Sequence, residues 1–134
     1  CRTSNPGAGV FQDLPVTRNG QSISLYEKIA FSAQSWNRNG NIGLVVGATY
    51  PDELRKIRNI SNDMFILAPG VGSQGGDLES TISLGASKTE VSITINVSRS
   101  LLYASDDPLT FADASRNVAK TMRDRINVAR SKIE

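Results

Sequence analysis

The sequence has no histidine at all. That absence excludes a Ser-His-Asp triad, a Cys-His nucleophile pair and every metal site that uses imidazole within these residues. It has one cysteine, Cys1, so no intrachain disulfide can form. A lone thiol fits a reducing compartment, and a cytoplasmic location is expected. Charge of one sign is also missing: 15 Lys and Arg face 13 Asp and Glu, a net of +2. The two signs are interspersed, which argues against a nucleic-acid footprint or a basic membrane-binding stripe. No apolar run approaches the ~20 residues of a membrane span. The first residues, Cys1-Arg2-Thr3-Ser4, include no Met and lead into no charged-then-apolar signal segment, so residue 1 is not expected to be a translation start.

What is present is an alternation of short apolar runs and amphipathic stretches. Residues 42–46 (IGLVV) read as a buried strand ending in Gly47-Ala48-Thr49. A helix is expected next, with Pro51, Asp52 and Glu53 in its first turn, where a missing N–H and acidic groups both suit the unpaired amides. Leu54 and Ile57 supply its buried face. Residues 64–68 (MFILA) form a second strand, stopped by Pro69-Gly70 and followed by a glycine-rich loop over 70–76. A short helix starts near Asp77, with Leu78 and Ile82 on one side. Residues 91–97 (VSITINV) make a third strand. A last helix over 109–133 carries Phe111, Val118, Met122, Ile126, Ala129 and Ile133 on one stripe. Upstream, Leu25, Ile29, Ala33 and Trp36 mark another helix, and residues 15–21 read as a polar loop.

Three strand–helix units, preceded by the tail of a fourth, predict an α/β domain with a parallel sheet. An open doubly wound sheet and a (β/α)₈ barrel both fit that pattern. No composition shift within 1–134 suggests a second domain, and about four units in this length are also roughly half of a ~250-residue barrel, so the choice stays open on this pattern. In either fold, ligands bind at the C-terminal ends of the strands. The segments there are Thr3-Ser4-Asn5-Pro6-Gly7-Ala8, Gly47-Ala48-Thr49, the run from Pro69 to Asp77, and Ser98-Arg99-Ser100.

The glycine loop carries the most information. Gly70, Gly72, Gly75 and Gly76 let backbone approach a ligand closely, and amides at the next helix start suit an anion. It is no Walker loop, since Gly-Lys-Ser/Thr does not occur, and it lacks dinucleotide spacing. Gln74 supplies a polar side chain where a turn needs none, which favours ligand contact. Arg99, just after the third strand, can grip a phosphate bidentately, and barrels often bind phosphate between their last two loops. Ser4 has no partner base and suits hydrogen bonding better than nucleophilic attack. Asp52 and Asp77 read as helix-start residues. Tyr50, Trp36 and Tyr103 read as packing residues.

Taken together, Arg2-Thr-Ser-Asn-Pro-Gly-Ala8, Leu44-Val-Val-Gly-Ala-Thr-Tyr-Pro51, Ala68-Pro-Gly-Val-Gly-Ser-Gln-Gly-Gly-Asp77 and Asn96-Val-Ser-Arg-Ser100 resemble the orotidine 5′-monophosphate decarboxylase family, in its longer bacterial form. The resemblance implies a (β/α)₈ barrel, of which this chain is the C-terminal half, from the end of the fifth strand through the eighth helix. It implies conversion of orotidine 5′-phosphate (OMP) to UMP and CO₂ without cofactor or metal. The family's Asp-x-Lys-x-x-Asp motif does not occur here, so the chain is expected to hold no catalytic residue of its own. Its expected part is grip: Ser4 on the pyrimidine edge, Gln74, Ser98 and Arg99 on the phosphate, Pro69 in the apolar wall, and Gly72, Gly75 and Gly76 shaping the phosphate loop. A contact between Gln74 and Ser4 across the closed site is expected as well. Ser73 stands where alanine is common and Ser98 where glycine is common. The resemblance further implies the N-terminal half of the enzyme as partner, and a homodimer. The alternatives are a related sugar-phosphate decarboxylase, which would lack the Pro-Gly-x-Gly-x-Gln-Gly-Gly loop, or an inactive fragment.

Overall fold

A computed structural model describes residues 1–72, 74–87 and 92–133. Ser73, expected in the glycine loop, and Val91, expected to open the third strand, fall outside the described residues. Three strands, β3 (Leu44–Val45), β4 (Ile66–Pro69) and β5 (Ile93–Asn96), form a parallel sheet in the order β3-β4-β5. Leu44 is paired with Ile66, and Ile66 with Ile93. Arg2 bridges to Val46 in parallel, and the Gly47 N–H donates to the Arg2 carbonyl at 2.7 Å. The segment before Ser4 therefore lies beside β3 as the expected tail of a fourth strand.

The helices are α1 (Gly9–Gln12), α2 (Leu25–Trp36), α3 (Pro51–Ser61), α4 (Leu78–Gly85), α5 (Arg99–Leu102) and α6 (Phe111–Arg130), with a 3₁₀ turn at Pro6–Ala8. Consecutive long helices touch: α2 packs on α3, α3 on α4, and α4 on α6. Strand order without reversal and a single row of neighbouring helices are what part of a closed barrel requires. A doubly wound sheet would reverse its strand order and carry helices on both faces.

Alternation along each strand sorts the side chains. Leu44, Val46, Ile66 and Ala68 are buried toward the helices, against Leu54, Ile57, Tyr26 and Ala30. A second cluster around Val71, Leu78, Ile82 and Ala129 lies beneath α6, with Met122, Ile126 and Ile133 against it. The opposite sheet face is uncovered, leaving Val45 and Phe65 exposed at 44% and 39%.

Local chemistry explains the helix starts. Pro51 opens α3 after Tyr50, with Asp52 and Glu53 in the first turn. Asp77 caps α4 by accepting the Ser80 N–H at 2.7 Å, so its role at a helix start holds. Glu27 accepts the Ser24 N–H at the start of α2.

Several expectations need correcting. Residues 15–21 are not a loop: β1 (Pro15–Arg18) and β2 (Gln21–Ser24) form an antiparallel hairpin, turned by Asn19 and Gly20 at positive φ. Asn-Gly is the favoured pair for that two-residue turn. The buried stripe of α2 is Tyr26, Ala30 and Ala33, while Ile29 and Trp36 are exposed. Trp36 and Tyr103 pack on nothing that buries them, at 67% and 73% exposure. Phe111 is exposed too, so the α6 stripe begins at Val118.

Candidate functional site

The ends of β3 and β4 converge on Ser4. The Ser4 hydroxyl donates to Gln74 Oε1 at 2.8 Å, joining two loops 70 residues apart. Gly70 makes room for this pair. Its φ is +100°, and a Cβ there would stand 3.0 Å from Gln74 Oε1 and 3.2 Å from Ser4 Cβ. A side chain at Gly70 would thus be strained in its backbone and would crowd both partners. Gly47 is constrained by proximity alone, because a Cβ would lie 2.6 Å from the Ser4 nitrogen. The Pro69 carbonyl accepts the Ala48 N–H at 2.8 Å, which ties the end of β4 to the loop after β3.

The glycine loop is stitched to itself. Gly72 donates to the Gly76 carbonyl, Gly75 to Gly72, and Gly76 to Gly70, all at 2.8–3.0 Å. In this conformation those three amides are used within the loop and are not presented to an anion. What the loop does present is Gln74, exposed at its tip and turned to Ser4.

Ser98 and Arg99 begin α5 immediately after β5, and both are exposed. Ser98 uses its carbonyl to accept the N–H groups of Leu101 and Leu102. The Arg99 side chain has no hydrogen bond or ion pair among the described residues. The two loops approach through Ser100, whose hydroxyl lies 3.6 Å from where a Gly72 Cβ would be. A largely apolar pocket of about 430 Å³ lies nearby, lined by Val71, Gly72, Ser100, Val118 and Met122 among others. None of Ser4, Gln74, Ser98 or Arg99 lines it, so this hollow is distinct from the polar convergence.

Three groups escaped the sequence reading. Arg2 is buried beside Ser4, its guanidinium 4.0 Å from the centre of the Tyr50 ring and paired with Asp13. Tyr50 thus packs, as expected, and its partner is this guanidinium. Gln12 accepts the Thr3 N–H at 2.9 Å. The Thr49 hydroxyl oxygen is buried and has no partner among the described residues. No local pattern announces these roles, since each depends on segments brought together by the fold.

Comparison with known proteins bears on the family of the chain. The profile of the orotidine 5′-phosphate decarboxylase / HUMPS family matches residues 1–114. A relative from Roseiflexus castenholzii, named orotidine 5′-phosphate decarboxylase, is 49% identical over 96% of this chain and 46% of its own length. The chain thus spans about half the length of the curated relatives it matches. Among solved structures, Leishmania donovani UMP synthase superposes with a TM-score of 0.75 at 36% identity, over 94% of this chain and 27% of that one. Leishmania donovani OMP decarboxylase gives a TM-score of 0.73 at 33% identity, over 94% and 46%.

Proposed function

Because the chain belongs to the orotidine 5′-phosphate decarboxylase / HUMPS family, whose fold is the (β/α)₈ barrel, we propose that it forms the nucleotide-gripping C-terminal half of an OMP decarboxylase, a carboxy-lyase of UMP biosynthesis. The observation that carries this reading is the Ser4–Gln74 hydrogen bond, set beside the unpaired Arg99 on the adjoining loop. Ser4 holds the pyrimidine edge, Arg99 the phosphate, and Gln74 spans the two. Ser98 adds a small polar contact beside the phosphate, and Pro69 walls the base.

The bond from C6 to the carboxylate breaks, CO₂ departs, and a proton takes its place at C6. The lysine and carboxylates that manage this step belong to the family's Asp-x-Lys-x-x-Asp motif, which these residues do not include. The contribution from this half is binding energy taken far from the reacting carbon. Grip on the phosphate closes the glycine loop, excludes water and strengthens the fixed charges around the carboxylate. The uncovered sheet face with Val45 and Phe65, and the open side of β5, suit an N-terminal half that completes the barrel. Exposed Trp36, Tyr103 and Leu109 suit further burial, and a homodimer is part of this proposal. No helix among the described residues is long and apolar enough to cross a membrane. A cytoplasmic setting goes with the same reading.

The test uses the full-length protein and compares OMP with its phosphate-free nucleoside, orotidine. Two charge-assisted bonds from Arg99 are worth on the order of 100-fold in kcat/KM for OMP. Arg99→Ala should lose that factor with OMP and little with orotidine. Equal sensitivity of wild type and variant to phosphate removal would sink the assignment of Arg99. Turnover of a sugar phosphate in place of OMP would overturn the substrate.

A further inference from the structure

The approach to Ser4 is built around a buried cation. The Arg2 side chain is only 4% exposed, and both terminal nitrogens of its guanidinium donate hydrogen bonds, while Nε has none among the described residues. Nη2 donates to Asp13 Oδ2 at 3.1 Å, while Nε lies 3.0 Å from Oδ1 as an ion-pair contact. Nη1 donates to the Thr3 carbonyl at 3.1 Å, and the flat face covers Tyr50. Gln12 completes the frame by accepting the Thr3 N–H. Both backbone polar groups of Thr3 are thus held by side chains, one residue before Ser4. Tyr50 belongs to the loop after β3, whose Gly47 lies against the Ser4 backbone.

Asp13 is 43% exposed, so the pair adds little net stability: water screens the carboxylate, and desolvation of Arg2 cancels much of the remaining attraction. Its benefit is fixed geometry, and only a guanidinium can fork to a carboxylate, reach a carbonyl and stack on a ring at once. We propose that Arg2, held by Asp13 and Tyr50, is a positioning residue for pyrimidine recognition: it fixes the backbone before Ser4 so that the Ser4 hydroxyl meets Gln74 and the base together. This role rests on the function proposed above.

The experiment measures OMP turnover and UMP affinity in the full-length protein for Arg2→Lys, Ser4→Ala, Arg99→Ala and the paired variants. Arg2→Lys should raise KM about tenfold with a smaller change in kcat, as expected for lost ground-state binding. In the Arg2→Lys background, Ser4→Ala should cost less than about twofold more, because the misplaced hydroxyl has already lost its contact. Arg99→Ala should keep its full effect there, which general loosening of the fold would not allow. Asp13→Asn, which leaves the Arg2 side chain and its ring contact in place, should shift KM in the same direction and keeps the test valid if Arg2→Lys fails to fold. Effects of Arg2→Lys (or Asp13→Asn) and Ser4→Ala that simply multiply, or an Arg99→Ala effect that collapses too, would overturn the role of Arg2. A wild-type protein that neither turns over OMP nor binds UMP would overturn the functional reading, and this role with it.

Discussion

Replacing Arg58 with leucine should be among the most destabilising single changes in the molecule, although the residue lies away from the strand ends that carry the site. Arg58 sits in the last turn of α3, is 7% exposed and forms no ion pair among the described residues. Its guanidinium donates instead to the carbonyls of Gly85 at 2.6 Å, Met64 at 2.8 Å and Ser92 at 2.8 Å, and to that of Asn62. One side chain thereby ties the end of α4, the turn after α3, the approach to β4 and the approach to β5. Three of those bonds are buried. Each acceptor stranded by leucine costs about 1–3 kcal/mol, set against several kcal/mol of relief from no longer burying the cation. Partial entry of water lowers the cost further, and the balance is a loss of about 3–5 kcal/mol. Burial pushes the Arg58 pKa down, yet a guanidinium starts so high that it stays charged near neutrality. In urea unfolding of the full-length protein followed by circular dichroism, a slope of about 2–3 kcal/mol/M converts the loss into a midpoint lower by about 1–2 M. Arg58→Lys should fall between, since one ammonium cannot reach four carbonyls. A leucine variant whose midpoint lies within about 0.3 M of wild type, at unchanged slope, would refute this account of the clamp.

Two further outcomes follow from the same physics. Asn62 ends α3 at φ +48°, ψ −119°, which strains any side chain, so Asn62→Gly should raise stability by about 0.5–1 kcal/mol in the same unfolding assay. The Asp77 carboxyl is held below its ordinary pKa, first by the Ser80 N–H, and that of Glu79 is lowered by its hydrogen bonds from Arg125. A depressed folded pKa gives stability that is present above the unfolded value and lost as pH falls through the folded one. Melting temperature should therefore drop on acidification below about pH 4, and Asp77→Asn, which caps without titrating, should flatten part of that slope. An identical acid slope in Asp77→Asn would remove Asp77 as its source. Both carboxylates are exposed, so the slope should be shallow.

Much of the architecture was legible because its signals are local. The apolar runs over 42–46 and 64–68 contain β3 and most of β4, and the helices start where Pro51 and Asp77 say they should. The hairpin was missed: Asn19-Gly20 marks its turn, but the polar residues around it read as a loop. The face of α2 was not legible. Leu25, Ile29, Ala33 and Trp36 make a plausible stripe, yet of these only Ala33 is buried, and it is Tyr26 and Ala30 that join it in the core. When two faces of a helix are both apolar, periodicity cannot choose between them.

The sequence by itself determined the order of the parallel strands and the long helices, the loops at the strand ends and the family those loops mark. Turn residues, caps and motif spacing act within a few positions, and that information survives without the fold. Only the tertiary structure decided which arginines became buried and what they hold: Arg2 beside Asp13 and Tyr50, and Arg58 on four carbonyls, two of them 27 and 34 residues away. An arginine destined for burial looks like any surface arginine in the sequence, because its partners lie on other segments. Desolvation then makes those few contacts far more consequential than any exposed charge.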